Sequence, residues 1–511
     1  MKLIYFMTCA AVAVVSLACT KHEGINAVDN VGKTISPVNT LSAVSTTNDS
    51  VVLVSWTNPV DEALLSVELS FKPVNTTNSF VANPIVKNVK SGTKDSTLLR
   101  IGNPGDYRIA LVAINKAGIK SDSTIVQVNS QSDSIPILLK RADTLMSSLV
   151  KLYLDGKARD IWNTSYPSAT GPYWDGAAVV WGQGGIFSGY AALKIASEKF
   201  SSYKQKVASL YDIRLFNALE KFVTTRGQRP TNTISAYAVY PDNGNERFYD
   251  DNVWIGIDMA DLYILTKDSK YLDRAKMVWD FIKSGTDTVL GGGVYWKEND
   301  SAKMTCSNAP SVVLAAKLYQ ITNDANYLAS AKSIYQWVKS HLQDPSDYLY
   351  WDNMSYGANR VVNIGKTKYT YNSGQPIEAA ALLYNITKEQ QYLTDAQNVA
   401  GSIFKQWGIP FNSYLTGQSF TTIDPAGHVW FRAVMLRGLI ELYKIDHNRL
   451  YVDSYENLIN NAWLSDCRNK QTNLLNTDFR GGTTQSSWEI LFQGAALEMM
   501  ARLAELRAEG L

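Results

Sequence analysis

Two adjacent carboxyl side chains, Asp250 and Asp251, are the residues of this sequence whose type and spacing best suit chemistry. Aromatic residues precede them, and Asn252-Val253-Trp254 follows. Two carboxylates held close together repel each other, which raises the pKa of one and keeps it protonated. The pair can therefore supply a proton donor and an ionised carboxylate at the same pH.

Hydrolysis of a glycosidic bond needs this division of labour. One carboxyl group protonates the leaving oxygen, and the other attacks the sugar carbon or activates water. Neighbouring residues at the start of a helix point about 100° apart around its axis. Their carboxyl groups can then lie about 5–5.5 Å apart, which is typical of retaining enzymes. The structural alternative is an N-cap Asp followed by a first-turn Asp that the helix dipole favours.

Loops rich in Trp, Tyr, Gly, Asn and Asp surround this pair in the sequence, and function often lies in such loops. Each residue taken alone has a structural alternative, because a Trp can belong to the core and an Asn can serve a turn. In a closed ring of helices these loops would converge on one face. They lie at residues 172–184, 248–254, 291–310, 348–353, 369–375 and 428–432.

The composition narrows the range of partners and cofactors. The 49 basic and 47 acidic residues give a formal net charge of +2 without a long basic run, which argues against nucleic acid. The 28 Tyr and 13 Trp suit a protein that stacks on sugar rings. The four His have no metal-ligand spacing, so we expect neither a metal nor another cofactor.

A repeated helix ending predicts the fold of the larger part of the chain. Leu262–Thr266, Leu318–Thr322 and Leu383–Thr387 read Leu-Tyr-x-Ile-Thr, and Leu442–Asp446 is a fourth copy ending in Asp. An amphipathic helix follows each of the first three. A period of about 60 residues fits a helical hairpin with a long loop, so residues 137–511 hold about six hairpins. Six hairpins can close into an (α/α)6 barrel; an open solenoid, with short uniform loops, is the alternative.

The N-terminus is typical of an exported protein. Lys2 precedes an apolar stretch, and Ser16-Leu17-Ala18-Cys19 resembles a bacterial lipoprotein cleavage site. We expect residues 1–19 to be a signal segment with Cys19 as the lipid anchor, and residues 20–37 to be a tether. An ordinary signal peptide cut near Ala18 is the alternative. Export to the outer membrane follows from the lipoprotein interpretation, which leaves the membrane face open.

Residues 38–130 are predicted to form a small all-β sandwich. The β-branched run Val51–Trp56 stops at Asn58-Pro59, Tyr107–Asn115 partly alternates, and Ser123–Val128 closes the segment. The early Trp56 and the late Tyr-containing strand resemble a fibronectin type III domain. We expect a spacer or packing role for it, because the segment has no acid pair or aromatic cluster.

The helical part resembles glycoside hydrolase family 76, the endo-α-1,6-mannanases. The motifs that carry the resemblance are Tyr249–Trp254, the Gly-Gly-Gly-Val-Tyr-Trp stretch at 291–296, Ser307-Asn308 and Tyr371–Gln375. It implies an (α/α)6 barrel and a retaining mechanism in which Asp250 is the nucleophile and Asp251 the acid/base. It also implies a monomer that binds α-mannan in a groove. The residues expected to contact this substrate are Trp174, Asp175, Trp254, Trp296, Asn308, Trp351, Tyr371 and Asn372.

Two other functions remain open at this point. A non-catalytic glycan-binding lipoprotein of the outer membrane is also helical and rich in Trp, but it has no need of paired carboxylates. An (α/α)6 hydrolase of another polysaccharide, such as one built from uronic acids, calls for Arg or His near the site. Apart from His428 and Arg432 the loops carry little positive charge. The combined features are similar to the polysaccharide-degrading lipoproteins of Bacteroidetes.

Overall fold

The computed structural model describes residues 34–45, 51–74, 84–101, 105–130, 135–154, 161–168, 176–198, 200, 203–204, 212–228, 233–242, 244–413 and 419–508. Cys19, Trp174 and Asp175 lie outside these ranges, as do the predicted signal segment and most of the predicted tether. None of the helices within these ranges is long and apolar enough to span a membrane. The buried apolar residues form two clusters, one from strands and one mainly from helices.

The first part of the chain forms two antiparallel sheets. One sheet has the strand order β1-β2-β5 and the other β4-β3-β6-β7. Val52, Val54 and Trp56 alternate along β2 and are buried, as the period of two requires for a strand with one face in the core. The strands are β1 (Asn39–Ser45), β2 (Val51–Thr57), β3 (Leu64–Pro73), β4 (Ile85–Asn88), β5 (Lys94–Arg100), β6 (Asp106–Asn115) and β7 (Thr124–Asn129).

The second part is built from helices in two layers. The inner helices are α2 (Val180–Ser197), α4 (Tyr249–Thr266), α6 (Thr305–Thr322), α8 (Thr370–Thr387), α10 (Val429–Asp446) and α12 (Ile490–Ala508). The outer helices are α1 (Ile137–Tyr153), α3 (Asp212–Glu220), α5 (Ser269–Ser284), α7 (Ala325–Leu342), α9 (Gln390–Trp407) and α11 (Leu450–Leu464).

The inner helices close into a ring. Each packs against the next in the order α2, α4, α6, α8, α10 and α12, and α12 packs back against α2. Each outer helix packs on an inner helix next to it in the chain, except α1, which packs mainly on α12. The contact between α12 and α2 confirms the predicted (α/α)6 barrel and excludes the open solenoid.

Burial separates the two layers in the way that their sequence patterns require. Helix α6 is buried without interruption from Thr305 to Ala316, because neighbours surround it. Helix α5 instead buries one stripe that includes Tyr271, Ala275 and Val278 and leaves the opposite face to solvent. The Leu-Tyr-x-Ile-Thr segments end three of the inner helices, and the variant Leu442–Asp446 ends a fourth.

Glycines allow the inner helices α2 and α12 to approach closely. A Cβ atom on Gly494 would lie 2.5 Å from the carbonyl oxygen of Gly185, and one on Gly189 would lie 2.6 Å from that of Gly494. Any larger residue at these positions would push the helices apart. The glycine-rich start of α2 therefore serves the closure of the ring.

Charged side chains pair in the middle of the barrel, below the ends of the inner helices. Arg437 Nε donates to Glu498 Oε1 at 2.6 Å, and its Nη1 lies 3.4 Å from Asp258 Oδ1. Ser188 donates to the other oxygen of Asp258, and Arg502 donates to Glu498. These buried groups link α2, α4, α10 and α12 by charge as well as by apolar contact.

The segments that connect the helices contain short strands. In the three-stranded sheet β11-β12-β13, β11 directly precedes α6, whereas β12 and β13 lie between α7 and α8 in the chain. The hairpin β14-β15 precedes α10. These strands are β8 (Ser165–Tyr166), β9 (Val223–Thr224), β10 (Ala236–Tyr237), β11 (Ala302–Met304), β12 (Asn353–Tyr356), β13 (Val362–Gly365), β14 (Gly408–Asn412), β15 (Ser419–Ile423) and β16 (Trp488–Glu489). Single 3-10 turns occur at Val289–Gly291 and Ala358–Arg360.

Candidate active site

The first turns of the inner helices meet at one end of the barrel, because an outer helix returns the chain between consecutive inner helices. The second residue of each inner helix belongs to this ring of first turns, and four contacts join five of these residues. Asp250 contacts Cys306, Cys306 contacts Tyr371, Tyr371 contacts Trp430, and Trp430 contacts Trp181. In order from α2 to α12 these second residues are Trp181, Asp250, Cys306, Tyr371, Trp430 and Leu491.

The fourth residue of each inner helix holds the loop that precedes the helix. Asn252 accepts from the backbone N–H of Tyr237 at 2.7 Å and donates to the carbonyl oxygens of Tyr237 and Phe248. The equivalent residues bond loop backbone in the same way, through amide, hydroxyl or guanidinium groups. They are Gln183, Asn252, Asn308, Ser373, Arg432 and Gln493.

Asn308, which was predicted to contact substrate, is one of these loop-holding residues. Its Oδ1 accepts from the backbone N–H of Val294 at 2.6 Å, and its Nδ2 donates to the carbonyl oxygens of Val294 and Met304 at 2.7 Å. The side chain is fully buried. Asn308 therefore holds the 291–296 loop, and its contact with substrate stays a prediction.

Asp250 accepts hydrogen bonds on both of its carboxyl oxygens. Oδ2 lies 3.0 Å from Trp296 Nε1 and 3.5 Å from Cys306 Sγ, and Oδ1 accepts from the backbone N–H of Asp251 at 2.9 Å. Its pKa is raised to about 6, because burial disfavours the charged form more strongly than these donors stabilise it. The carboxyl group is thus oriented from two sides.

Asp251 has an even less favourable setting for a negative charge. Burial raises its pKa well above the ordinary value, and the charges of Asp250 and Glu246 raise it further. Both members of the pair keep partly exposed side chains in the first turn of α4. The arrangement can therefore hold a proton on Asp251 while Asp250 is ionised, which is what acid and nucleophile roles require.

The glycine-rich loop places Trp296 against Asp250. Gly293 has a φ of +80°, and a Cβ atom there would lie 2.7 Å from the Trp337 ring, so only glycine fits. The buried Lys303 donates to the carbonyl oxygens of Val289 and Gly292 and holds the same loop from the other side. The partly exposed Trp296 ring is brought next to the carboxyl pair.

A second group of predicted residues lines the loops on the α8 side of Cys306. The buried Asn372 donates to Asp352 at 3.0 Å, and Tyr371 lies against the Cys306 thiol. Trp351 turns its indole nitrogen to Asp344 at 3.1 Å, and Lys366 lies over its ring. Tyr371 therefore reaches the carboxyl pair through Cys306, whereas Trp351 is bound to a separate acidic side chain.

An aromatic row continues from Tyr371 across the ring of first turns. Tyr371 stacks on Phe431 at 4.0 Å, Phe431 stacks on His428 at 4.0 Å, and His428 lies parallel to Trp181 at 5.9 Å. All four rings are partly exposed. The pKa of His428 is lowered to about 4 by burial and by Arg432, so the row is uncharged at neutral pH. Such a surface suits the apolar face of a sugar.

Trp254 lies beneath this row. It is 5% exposed and meets Trp430 edge-on at a ring distance of 5.0 Å. On the side of the barrel interior, the guanidinium group of Arg437 lies over the Trp254 ring. Trp254 therefore supports the aromatic row through Trp430, and its contact with substrate stays a prediction.

Sequence reasoning missed Cys306, Trp181 and Phe431 as members of the site. A signal for Cys306 was present, because Asp250 and Cys306 stand at the same distance before Tyr263 and Tyr319 of the repeated helix ending. Aligning the inner helices on those tyrosines would have placed Cys306 beside Asp250.

A model of the family described as glycosyl hydrolase family 76 matches residues 139–509. The chain belongs to glycosyl hydrolase family 76. The match begins at α1 and ends at α12, so it covers the whole barrel. Membership was expected from the aspartate pair and the glycine-rich loop, and it is confirmed.

Solved structures agree with this membership. A family 76 glycoside hydrolase from a bovine Bacteroides thetaiotaomicron strain is 36% identical, with a TM-score of 0.71, and the alignment covers 93% of this chain and 100% of that one. An α-1,6-mannanase of Salegentibacter is 22% identical, with a TM-score of 0.56 over 72% of this chain and 98% of that one, and has the same fold. That structure is an inactive variant with two neighbouring aspartates replaced, in complex with α-1,6-mannotetraose.

Among curated relatives, a Schizosaccharomyces pombe protein named putative mannan endo-1,6-α-mannosidase is 31% identical over 157 residues. The alignment covers 29% of this chain and 35% of that protein. The chain thus spans about a third of the length of this relative.

Proposed function

We propose that this protein is a retaining endo-acting glycoside hydrolase that cleaves α-1,6-mannosidic linkages of a mannan backbone. The observation that carries the proposal is the carboxyl pair Asp250 and Asp251 in the first turn of α4, with Trp296 and Cys306 on one oxygen of Asp250. A protein that only binds glycans has no use for a partly buried pair of like charges, whose repulsion costs stability. The pair therefore favours catalysis over binding alone.

In the proposed reaction the two carboxyl groups have different roles. Asp250 attacks the anomeric carbon of a mannose unit, and its carboxylate forms a glycosyl ester as the bond to the leaving O6 breaks. Asp251 transfers its proton to that O6. In the second step, the ionised Asp251 takes a proton from a water molecule. The oxygen of that water attacks the anomeric carbon, and the bond between the sugar and Asp250 breaks. Both carboxyl groups end as they began.

The pKa directions support this assignment of roles. The pKa of Asp250 rises to about 6, and that of Asp251 rises further for lack of a comparable set of donors. Trp296 and Cys306 favour the ionised form of Asp250, as a nucleophile requires, and Glu246 favours the protonated form of Asp251. The two roles are therefore distinguished by environment and not by spacing.

Similarity supports the substrate. The relative named as a mannan endo-1,6-α-mannosidase and the Salegentibacter α-1,6-mannanase with its bound α-1,6-mannotetraose have this substrate class in common. The neutral aromatic row of Tyr371, Phe431 and Trp181 suits an uncharged hexose polymer better than a uronic acid. We propose that Tyr371 and Trp296 contact the sugar directly.

Digestion of debranched α-1,6-mannan, followed by sizing of the products, tests the activity and its endo character. We expect mixed mannooligosaccharides early in the reaction from the wild type and none from Asp250→Ala or Asp251→Ala. Circular dichroism should show both variants folded. Full activity in either variant would refute the assignment, and binding of mannan without products in a folded wild type would favour a binding protein.

The stereochemical outcome has its own test. Proton NMR of the first products distinguishes α- from β-mannose at the new reducing end before mutarotation mixes them. A retaining enzyme releases the α-anomer first. First release of the β-anomer would show that Asp250 activates water instead of attacking the sugar.

We propose that the protein is exported and held at the outer membrane through a lipid on Cys19. Support comes from the sequence Ser16-Leu17-Ala18-Cys19 alone, which lies outside the described residues. Metabolic labelling with a fatty acid should mark the wild type and not Cys19→Ala. Protease treatment of intact cells would then decide which membrane face carries the enzyme, and gel filtration of the unanchored chain tests the expected monomer.

We also propose that residues 38–130 form a fibronectin type III-like domain that acts as a spacer between the tether and the barrel at 137–511. The strand orders β1-β2-β5 and β4-β3-β6-β7 support it. The Tyr107 hydroxyl donates to the carbonyl oxygen of Ile101 at 3.4 Å, similar to the tyrosine corner of such sandwiches. Removing residues 38–130 should leave hydrolysis of soluble mannan unchanged.

A further inference from the structure

The Cys306 thiol lies between the proposed nucleophile and a tyrosine of the aromatic row. Its Sγ is 3.5 Å from Asp250 Oδ2, and the Tyr371 side chain lies against the same thiol. The three side chains are the second residues of the neighbouring inner helices α4, α6 and α8. Cys306 is buried and is not in a disulfide. The contact therefore joins three helices at one oxygen of Asp250.

The direction of the hydrogen bond to Asp250 follows from the chemistry of the groups. An ionised carboxylate can only accept, so the S–H of Cys306 must donate to Asp250 Oδ2. The tyrosine hydroxyl can then donate to the sulfur, which is a weak acceptor. Burial and the charge of Asp250 raise the pKa of the Cys306 thiol well above its ordinary value, so the thiol keeps its proton. Asp250 Oδ2 thus has two side-chain donors, Trp296 and Cys306.

We propose that Cys306 is a positioning residue for the nucleophile, through a relay from Tyr371 to Asp250. The relay fixes the orientation of the attacking carboxylate and favours its ionised form. This inference rests on the proposed function, because it assigns Cys306 a role in that reaction. Other charged or titratable groups around the relay are Asp251 on α4, Glu246 and Lys297 in the flanking loops, and Asp352 beside Asn372.

The pH profile of kcat/KM for Cys306→Ala and Cys306→Ser tests the relay. Loss of the thiol donor should lower kcat about tenfold with little change in KM, and should move the acid limb to higher pH, since less stabilisation of the carboxylate raises its pKa. Serine keeps a donor and an acceptor, so it should restore most of kcat and the position of the limb. Tyr371→Phe should shift the limb in the same direction and by less.

Cys467 provides a matched control. It is also a buried free cysteine, and its sulfur hydrogen bonds a backbone carbonyl, that of Asn476 at 3.5 Å, and no carboxylate among the residues that the structure describes. Cys467→Ala should alter thermal stability without moving the acid limb. A Cys306→Ala variant that melts like Cys467→Ala and keeps the wild-type limb and kcat would overturn the inference.

The Raman S–H stretching band provides a readout that does not depend on substrate. In a Cys467→Ala background, the difference between wild-type Cys306 and Cys306→Ala isolates the Cys306 band. We expect the frequency of a hydrogen-bonded donor and a shift in Asp250→Asn. A band at the position of a free thiol, unchanged by Asp250→Asn, would refute the relay. If the wild type does not hydrolyse α-1,6-mannan but the band shifts, the relay stands and the proposed function fails.

Discussion

The two ends of the inner helices differ in a way that separates structure from chemistry. At the C-terminal ends, α4, α6, α8 and α10 all have the same type of C-cap. A residue in the left-handed conformation follows the helix, and its N–H donates to the carbonyl oxygen of the tyrosine in the repeated ending. These four residues are Lys267, Asn323, Lys388 and His447. At the N-terminal ends, the second residues of the same helices are an aspartate, a cysteine, a tyrosine and a tryptophan.

The repeated end satisfies a local requirement. Thr266 Oγ1 donates to the carbonyl oxygen of Leu262 and accepts from the N–H of Asp268, which itself caps α5 through the N–H of Lys270. Such a turn needs only neighbours in sequence, so a similar sequence can serve it each time. The other end keeps only its loop-holding fourth residue in common, while its second and third residues vary with their chemical task. The repeated sequence at the C-terminal ends therefore serves the fold, and the varying residues at the N-terminal ends form the candidate active site.

The largest expected contrast comes from removing one aspartate at each end. Asp250→Ala should lower kcat/KM on α-1,6-mannan by at least about 10³-fold, because the attacking carboxylate is lost. Asp268→Ala should leave kcat/KM unchanged and cost about 1 kcal/mol of unfolding free energy through the lost cap. Initial rates and urea unfolding of both variants measure the contrast. Equal losses of activity would contradict the separation of the two ends.

Trp296→Phe tests the donor that the glycine-rich loop supplies to Asp250. We expect kcat/KM to fall about 10- to 100-fold and the acid limb of its pH profile to move upward, because the ionised carboxylate loses a hydrogen bond. Trp488→Phe is the control, since its indole donates to the amide of Asn476 at 3.0 Å and not to a carboxylate. A shifted acid limb in Trp488→Phe would argue against the assignment.

The raised pKa of Asp250 predicts a pH-dependent stability. A carboxyl group with a folded-state pKa of about 6 binds its proton more tightly in the folded protein than in the unfolded chain, where it titrates near 3.8. Unfolding free energy is therefore lost as pH rises through this window. Asp250→Asn should gain about 1–2 kcal/mol over the wild type at pH 7 relative to pH 3.5. Melting curves at both pH values measure this; an equal difference at both would contradict the raised pKa.

The smallest expected effect is at the repeated end. Lys388 has a φ of +62°, where a side chain costs about 1 kcal/mol. Lys388→Gly should raise the unfolding free energy by up to about 1 kcal/mol and leave kcat/KM unchanged. Lys388→Ala keeps the strained Cβ and should bring no such gain. Chemical denaturation resolves the two variants, and a gain with alanine would point to the lost charge instead.

Prediction from sequence succeeded where the determining contacts are local. The repeated ending predicted the hairpins, and their number and loop length predicted the closed barrel that the contact of α12 with α2 confirms. The catalytic roles of Asp250 and Asp251 stay predictions that the geometry supports. Predictions on Cys19, Trp174 and Asp175 concern residues outside the described ranges.

Individual site residues were harder to predict, because their roles depend on which way a helix turn faces. Asn308 and Trp254 were expected at the sugar, and the structure shows that Asn308 bonds a loop backbone and that Trp254 packs edge-on against Trp430. Their contact with the sugar stays a prediction. Asparagine and tryptophan are residue types that occur both in sugar-binding grooves and in the protein interior. Periodicity distinguishes a buried helix from an exposed one, but a helix surrounded on all sides has no apolar stripe to show its orientation.

The sequence by itself determined the helices, their repeated turns and the presence of an acid pair, since each depends on residues a few positions apart. Only the tertiary structure decided what surrounds that pair. Trp296 lies 46 residues from Asp250 in sequence and Cys306 lies 56 residues away, yet both donate to the same carboxyl oxygen. Closing the ring sets these distances, and burial within it raises the pKa values of the two aspartates.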